Sequence, residues 1–317
     1  MPKDSYPPAI FLMGPTASGK TALAMRLHEA LPVEIISVDA SQVYRGLDIG
    51  TAKPSEAELA RAPHRLIDIR DPAEPYSAAD FCADALKEMA DISRSGRIPL
   101  LVGGTMFYFH ALEQGLSALP AANPAIRERL SREAAERGWP ALHARLRAAD
   151  TATAARIDPH DAQRIQRALE VLALTGEAPS RLMQATTRAT LPYRLIKLAI
   201  VPKERTALHA KIAERFHAML AAGLVDEVKS LMERKDLNLQ LPSMRTVGYR
   251  QVGLYLTEQL SHSQMVERAI IATRQLAKRQ FTWLRGYPGL CRFDSGEPAV
   301  DRRLLAYLSG TLGTVEV

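Results

Sequence analysis

Between residue 9 and about residue 116 the chain alternates short apolar runs with longer stretches whose apolar residues recur at helical spacing. Ala9–Met13, Val33–Val38, Arg65–Ile69 and Ile98–Val102 read as strands, and Thr21–Leu31 and Ala78–Ser93 as helices, the second broken by Ser95-Gly96. Strands alternating with helices in this way predict a parallel sheet. After Gly115 the pattern changes. Residues 116–191 are rich in Ala and Arg, lack a clear strand and read as helices throughout; Pro120 and Pro124 open the segment, and Pro179 and Pro192 mark its exit. Leu195–Val201 is a strand again, and from Glu204 onward the chain is expected to be helical, with Gly223, Gly248, Gly253 and Gly286 as breaks. The predicted fold class is α/β: a parallel-sheet core over residues 1–116, an all-helical insertion over 117–194, and a continuation of the core with C-terminal helices over 195–317. No internal repeat, low-complexity tract or heptad run is present.

The junction of the first strand and helix reads Gly14-Pro15-Thr16-Ala17-Ser18-Gly19-Lys20-Thr21, a complete G-x-x-x-x-G-K-[ST] phosphate loop in the strand–loop–helix context that such a loop requires. Its glycines let successive N–H groups face an anion. The helix N-terminus adds partial positive charge, Lys20 a mobile cation, and Thr21 a hydroxyl suited to Mg²⁺. The core is therefore expected to be P-loop NTPase-like, and a polyphosphate to bind there.

Composition adds less. At 317 residues, 47% apolar and 24% charged, the chain is of ordinary globular type. Two cysteines, Cys82 and Cys291, support no disulfide framework or cysteine-rich zinc site and fit a reducing cytoplasm. The first residues, Met1–Tyr6, are polar, and the apolar run behind them is too short for a signal peptide or a membrane span. A formal charge of +6 favours a polyanionic partner if the cations cluster, and they do so in three places. Around Lys278-Arg279-Gln280-Phe281-Thr282-Trp283-Leu284-Arg285, helical spacing puts Arg274, Lys278 and Arg285 on one face beside an apolar stripe of Ile270, Ala277, Phe281 and Leu284. Gln163-Arg164-Ile165-Gln166-Arg167 lies early in a helix introduced by Asp158-Pro159 and closed by Gly176. Arg245-Thr246-Val247-Gly248-Tyr249-Arg250 has the look of a loop that contacts a nucleotide.

Asp39 ends the second strand at the sheet edge that also carries the phosphate loop. It suits Mg²⁺ binding in phosphoryl transfer, general-base duty toward a nucleophile, or simple capping of the next turn. The fourth strand ends in Gly103-Gly104-Thr105 with no carboxylate, while Asp68, at the end of the third, is a further candidate metal ligand. A P-loop kinase acting on a nucleotide or metabolite with ATP, and a nucleotide-gated RNA-binding protein, each explain part of this set.

Taken together, the chain resembles the tRNA dimethylallyltransferase (tRNA isopentenyltransferase) family over nearly its whole length. The resemblance rests on Gly14–Thr21, on the string from Asp39 through Asp48-Ile49-Gly50-Thr51-Ala52-Lys53-Pro54, and on Val102–Thr105. It continues through Arg167-Ala168-Leu169-Glu170-Val171, Gly248-Tyr249-Arg250 and Lys278–Trp283. Ala40 departs from it, standing where the family usually has Ser. The resemblance implies transfer of the five-carbon group of dimethylallyl diphosphate to N6 of an adenosine beside the tRNA anticodon, with release of diphosphate. It also implies that Asp39 is the base and that Gly14–Thr21, with Mg²⁺ on Thr21, hold the diphosphate. Lys20, Thr105 and Arg215 would complete the reacting centre. Asp39, Ala40, Ser41 and Gln42 would line a pocket for the flipped adenine, and Thr105, Arg127, Gln163–Arg167, Arg245–Arg250 and Lys278–Arg285 would hold the RNA. The insertion would then act as an RNA clamp, and a monomer in the cytoplasm is expected.

Overall fold

The computed structural model describes residues 6–117, 119–185 and 191–313. Most of the polar N-terminal stretch and part of the exit from the helical segment (186–190) lie outside the described residues. Contacts divide the chain into two compact units, Met1–Glu113 with Pro192–Val317, and Gln114–Leu191.

The first unit is built on a six-stranded parallel sheet: β1 (Pro8–Met13), β2 (Val33–Val38), β3 (His64–Arg65), β4 (Ile98–Gly103), β5 (Arg194–Val201) and β6 (Cys291–Asp294), in the order β3-β2-β4-β1-β5-β6. β1 lies between β4 and β5, so Ala9 through Met13 are fully buried, which is why that run is unbroken apolar sequence. On one face Ile10, Leu12, Ile35, Leu100, Leu198 and Ile200 pack against Leu23, Ala24 and Leu27 of the helix Lys20–Ala30 and against Leu304 and Leu308 of the helix Val300–Leu312. The helices Ala78–Arg94 and His262–Gly286 both begin with reciprocal capping boxes, Ser77 with Asp80 and Ser261 with Gln264.

Four expectations are corrected. The strand anticipated over 65–69 stops at Arg65, because Leu66 (φ 64°) and Asp68 (φ 57°) enter the left-handed region and cannot continue a ladder. The chain instead returns to the segment after β2, where Arg45 N–H donates to the Arg70 carbonyl (2.9 Å) and Arg70 N–H to that of Val43 (3.0 Å). The region after Glu204 also holds a strand, β6, too short at four residues for its alternation to be legible, with only Phe293 buried. Gly253 does not break a helix; it lies inside Tyr249–Leu256, where a Cβ would stand 2.4 Å from a Leu239 methyl. Finally, the helix expected to start at Asp158-Pro159 runs over Ala162–Thr175 and takes its cap from Asp161.

The second unit packs its helices Pro124–Arg137, Trp139–Ala149 and Ala162–Thr175 around Leu130, Leu142, Leu146, Ile165 and Leu169. Beneath them lies a carboxylate. Glu170, fully buried, accepts from Asn123 N–H (2.7 Å), from Arg127 Nε (2.9 Å) and Nη2 (3.1 Å), and from Arg167 Nη1 (2.7 Å). These bonds offset the desolvation that its burial imposes and hold its pKa below the ordinary glutamate value.

Candidate active site

Directly after β1 the chain turns into the phosphate loop. It can do so because Gly14 carries no side chain: a Cβ there would stand 2.5 Å from the Ile200 carbonyl oxygen of β5. Ala17 (φ 62°) and Gly19 (φ 87°) supply the left-handed residues that curl the loop, and the helix Lys20–Ala30 then begins without a side-chain cap. Among the described residues, no protein acceptor meets the N–H groups of Gly19, Lys20 or Thr21. Ser18 Oγ is buried and has no hydrogen-bond partner among the described residues. Free N–H groups at a helix start, with an orphaned hydroxyl among them, make an anion cradle.

The Lys20 ammonium donates to the Pro15 carbonyl (2.7 Å), and Arg215 Nη2 donates to the Thr16 hydroxyl (2.7 Å). Lys20 is half-buried by surface, but its ammonium lies inside; burial first and the Arg215 charge second pull its pKa down to about 7, with Asp39 pulling the other way. Burial lowers the Arg215 pKa as well, again opposed by Asp39. Two cations and one carboxylate thus share a field at the mouth of the loop.

Asp39 arrives from β2, which is separated from β1 by β4. The two loops converge because β4 ends in glycines: a Cβ on Gly103 would fall 2.0 Å from the Val38 carbonyl oxygen. Asp39 Oδ1 accepts from Ser41 N–H (2.8 Å) and Gln42 N–H (3.3 Å), while Oδ2 has no partner among the described residues. Asp39 therefore caps its turn through one oxygen and leaves the other open. Thr105 Oγ1 accepts from Ala40 N–H (3.1 Å), a backbone bond to which the missing Ser hydroxyl at position 40 is irrelevant. Gln42 bonds Ser37 Oγ (3.0 Å) and donates to the carbonyls of Thr51 and Ala52 (3.3 Å each), and Ser41 and Thr246 hydroxyls hydrogen-bond each other (3.2 Å).

Residues 42–287 of this chain match the family described as IPP transferase. The chain belongs to the IPP transferase family. It is 57% identical over 307 residues, 97% of this chain and 98% of the relative, to a tRNA dimethylallyltransferase of Thiobacillus denitrificans. A full-length tRNA isopentenylpyrophosphate transferase from Bacillus halodurans has a similar structure, with a TM-score of 0.70, 34% identity and 96% of each chain covered. A eukaryotic dimethylallyltransferase acting on tRNA shares the fold at a TM-score of 0.79 and 24% identity, over 98% of this chain and 81% of its own.

The other anticipated residues divide by exposure. Gln163, Arg164, Arg245, Arg250, Lys278, Arg279, Thr282, Trp283 and Arg285 are exposed, and Thr246, Val247 and Phe281 half-buried. Ile165, Leu284, Gly248 and Tyr249 are buried, each on the side of its helix or turn that faces the core. Arg127 and Arg167 are engaged by Glu170, and Gln166 donates to the Arg127 carbonyl (3.0 Å) and to Ser131 Oγ (2.9 Å). Asp68, considered as a metal ligand, pairs with the buried Lys53 side chain, which also binds Asp48 and the Tyr44 carbonyl. Gln280, expected to face RNA, is buried against the phosphate loop.

Two carboxylates with organising roles went unrecognised in the sequence. Glu227 collects the N–H groups of Asp48, Ile49 and Gly50, and no local pattern marks it. Glu170 had a signal: an acid on the apolar face of its helix, three residues after Arg167.

The depressed Lys20 pKa has a consequence for stability. Below about pH 7 both folded and unfolded chains hold the proton, and the folded one bears the full cost of burying the cation. As pH rises toward 10.5 the folded chain releases the proton first, and that cost fades. Lys20→Met is therefore expected to raise Tm by several degrees at about pH 6.5, with the gain shrinking toward about pH 10. Calorimetry of both proteins across this range checks it; a gain that grows with pH would refute the assignment.

Proposed function

We propose that this protein transfers the dimethylallyl group of dimethylallyl diphosphate to N6 of an adenosine in tRNA, releasing diphosphate, and that the adenosine lies next to the anticodon. The observation that carries the mechanism is the meeting of Lys20, Arg215 and the free Oδ2 of Asp39 at the mouth of the phosphate loop. An adenine amine is a feeble nucleophile because its lone pair is delocalised into the ring. As the N6–carbon bond forms and the carbon–oxygen bond to diphosphate breaks, the N6 proton passes to Asp39 Oδ2. Negative charge growing on the leaving oxygen is met by the N–H groups of Gly19–Thr21, by Lys20 and by Arg215. Thr105 holds Ala40 and hence the turn that aims Asp39.

The donor set suits Mg²⁺ held through its substrate. Among the described residues no group of three or more His, Cys, Asp or Glu could cage a metal, whereas Thr21 and the diphosphate oxygens provide the oxygen ligands this ion prefers. When bound, it would spread the charge of the departing diphosphate.

The adenine is flipped from the stack into the space bordered by Asp39–Gln42, and exposed Arg245, Arg250, Lys278, Arg279 and Arg285 bind RNA phosphates. Exposed Gln163 and Arg164 let the helical unit serve as a clamp on the RNA. The protein works as a monomer in the cytoplasm, where its tRNA substrate is found. Among the described residues no helix is long and apolar enough to cross a membrane.

Incubation with unmodified tRNA, Mg²⁺ and either dimethylallyl diphosphate or ATP, followed by digestion and mass analysis, tests the reading. A prenyl increment on adenosine that requires the allylic diphosphate is expected; phosphate transfer from ATP, or no product, would refute it. Lys278→Ala should weaken tRNA binding and lower the slope of log affinity against log salt by about 1. A slope equal to that of the wild type would remove Lys278 from the phosphate contacts.

A further inference from the structure

Gln280 belongs to the helix His262–Gly286, in the stretch whose neighbours Lys278 and Arg279 are exposed, yet it is only 7% exposed itself. Its position follows from helical spacing: Ala277 and Leu284, three residues before and four after, are buried on the same side. Both ends of its carboxamide are engaged by backbone far away in sequence. Oε1 accepts from Thr16 N–H (2.9 Å), and Nε2 donates to the Gly104 carbonyl (2.9 Å). The residue at 104 must be small for this, since a Cβ there would stand 2.5 Å from Gln280 Nε2.

These bonds divide the phosphate loop into two functional halves. Pro15 has no N–H, and its carbonyl takes Lys20 and Ser18 N–H; Thr16 has its N–H on Gln280 and its hydroxyl on Arg215. Thr16 is thereby fixed on both polar groups and offers no N–H to a ligand. The other half, Gly19–Thr21, keeps its N–H groups open among the described residues. On its other side Gln280 grips Gly104, the residue before Thr105, whose hydroxyl holds Ala40 beside Asp39. One buried side chain therefore ties the anion cradle to the strand end that aims the carboxylate.

We propose that Gln280 is a positioning residue that sets the separation of the diphosphate cradle from the Asp39–Thr105 pair, and that it makes no contact with RNA. This inference rests on the reading of Gly14–Thr21 as a diphosphate site. Positioning within a fraction of an ångström governs transfer rates, so loss of the tie should appear in turnover and in diphosphate binding rather than in RNA affinity. Because Gly104 and Gln280 act on one bond from opposite sides, their effects must also be non-additive.

The test uses Gln280→Ala, the similarly sized Gln280→Met, Gly104→Ala, and Gly104→Ala with Gln280→Ala together. Binding of inorganic diphosphate with Mg²⁺, binding of tRNA, and single-turnover rates at saturating substrates are measured on each folded protein. Both Gln280 variants and Gly104→Ala are expected to lose about tenfold in diphosphate affinity and about 10- to 100-fold in rate, with tRNA affinity within about twofold of wild type. The double variant should be no worse than about twice the more damaged single one. Losses that multiply in the double variant, or a Gln280→Met protein that loses tRNA affinity while keeping its rate at saturating tRNA, would overturn the proposal. A wild-type protein that fails to bind diphosphate would refute the reading beneath it, whereas wild-type binding matched by every variant would refute the role of Gln280 alone.

Discussion

Replacing Asp39 by Asn is expected to lower kcat by about 10²–10⁴-fold while leaving tRNA affinity within about twofold and Tm nearly unchanged. The choice of Asn follows from the division of labour between the two carboxylate oxygens. Oδ1 accepts from the N–H groups of Ser41 and Gln42, and an Asn oxygen can keep both bonds and the turn they cap. Oδ2, the oxygen without a partner, becomes an amide that cannot accept a proton. Asp39→Ala removes both functions, so it should match Asn in the loss of kcat and add a loss of stability of about 1 kcal/mol from the uncapped turn. Diphosphate affinity should hold or improve in both variants, because the negative charge of Asp39 that acts on Lys20 and Arg215 has gone. Steady-state kinetics with calorimetry on the pair separates these effects. An Asn variant with near-normal kcat would leave Asp39 as a turn residue and require another proton acceptor.

Glu227→Gln should lower Tm by about 5–10 °C and kcat/KM by more than about tenfold, although the residue touches no substrate. Glu227 sits in the first turn of the helix Leu224–Met232. Its Oε2 accepts from Asp48 N–H (3.1 Å) and Ile49 N–H (2.7 Å), and its Oε1 from Gly50 N–H (3.2 Å) and the hydroxyl of the fully buried Tyr249. Four donors fill the acceptor sites of one carboxylate. Burial first, and the bond to Glu227 next, push the Tyr249 pKa far upward, so this hydroxyl remains a donor. A glutamine turns an NH₂ toward two of those donors and leaves them unsatisfied, at about 1–3 kcal/mol each. The loop has little room to adjust: a Cβ on Gly50 would lie 2.4 Å from the Tyr249 ring. It also carries the Thr51 and Ala52 carbonyls that orient Gln42 beside Asp39, which is how a loss of stability becomes a loss of rate. Tyr249→Phe, which removes one donor and keeps the acceptor, should cost only about 1 kcal/mol. Thermal unfolding of the two variants provides the check, and a Glu227→Gln protein melting within about a degree of wild type would refute this account.

The phosphate loop, strands β1, β2, β4 and β5 and the basic outer face of the helix His262–Gly286 were legible in the chain because their causes are local. Gly19 meets a left-handed backbone requirement within the loop itself, Ala9–Met13 is apolar because it is a central strand, and Lys278 and Arg285 fall on one face through helical spacing alone. The edges were less legible. β3 is ended by left-handed Leu66 and Asp68, and β6 is four residues long, so neither shows a full period.

Tertiary structure alone decided which side chains work together. Gln280 reads as one more polar residue in a basic helix, and only packing turns it inward to join Thr16 and Gly104 across 264 and 176 positions. Glu227 finds the Asp48–Gly50 backbone across about 180 positions, and Arg127 and Arg167 are brought together on buried Glu170. The sequence by itself determined that an α/β core with a phosphate-loop motif exists, and where its loop, its carboxylate and its cations lie along the chain. The fold decided which of those cations face solvent and which polar groups hold the cradle in register with Asp39. The physical reason is that backbone conformation and periodicity are set by near neighbours, whereas a buried hydrogen bond depends on which surfaces the packed core brings within about 3 Å.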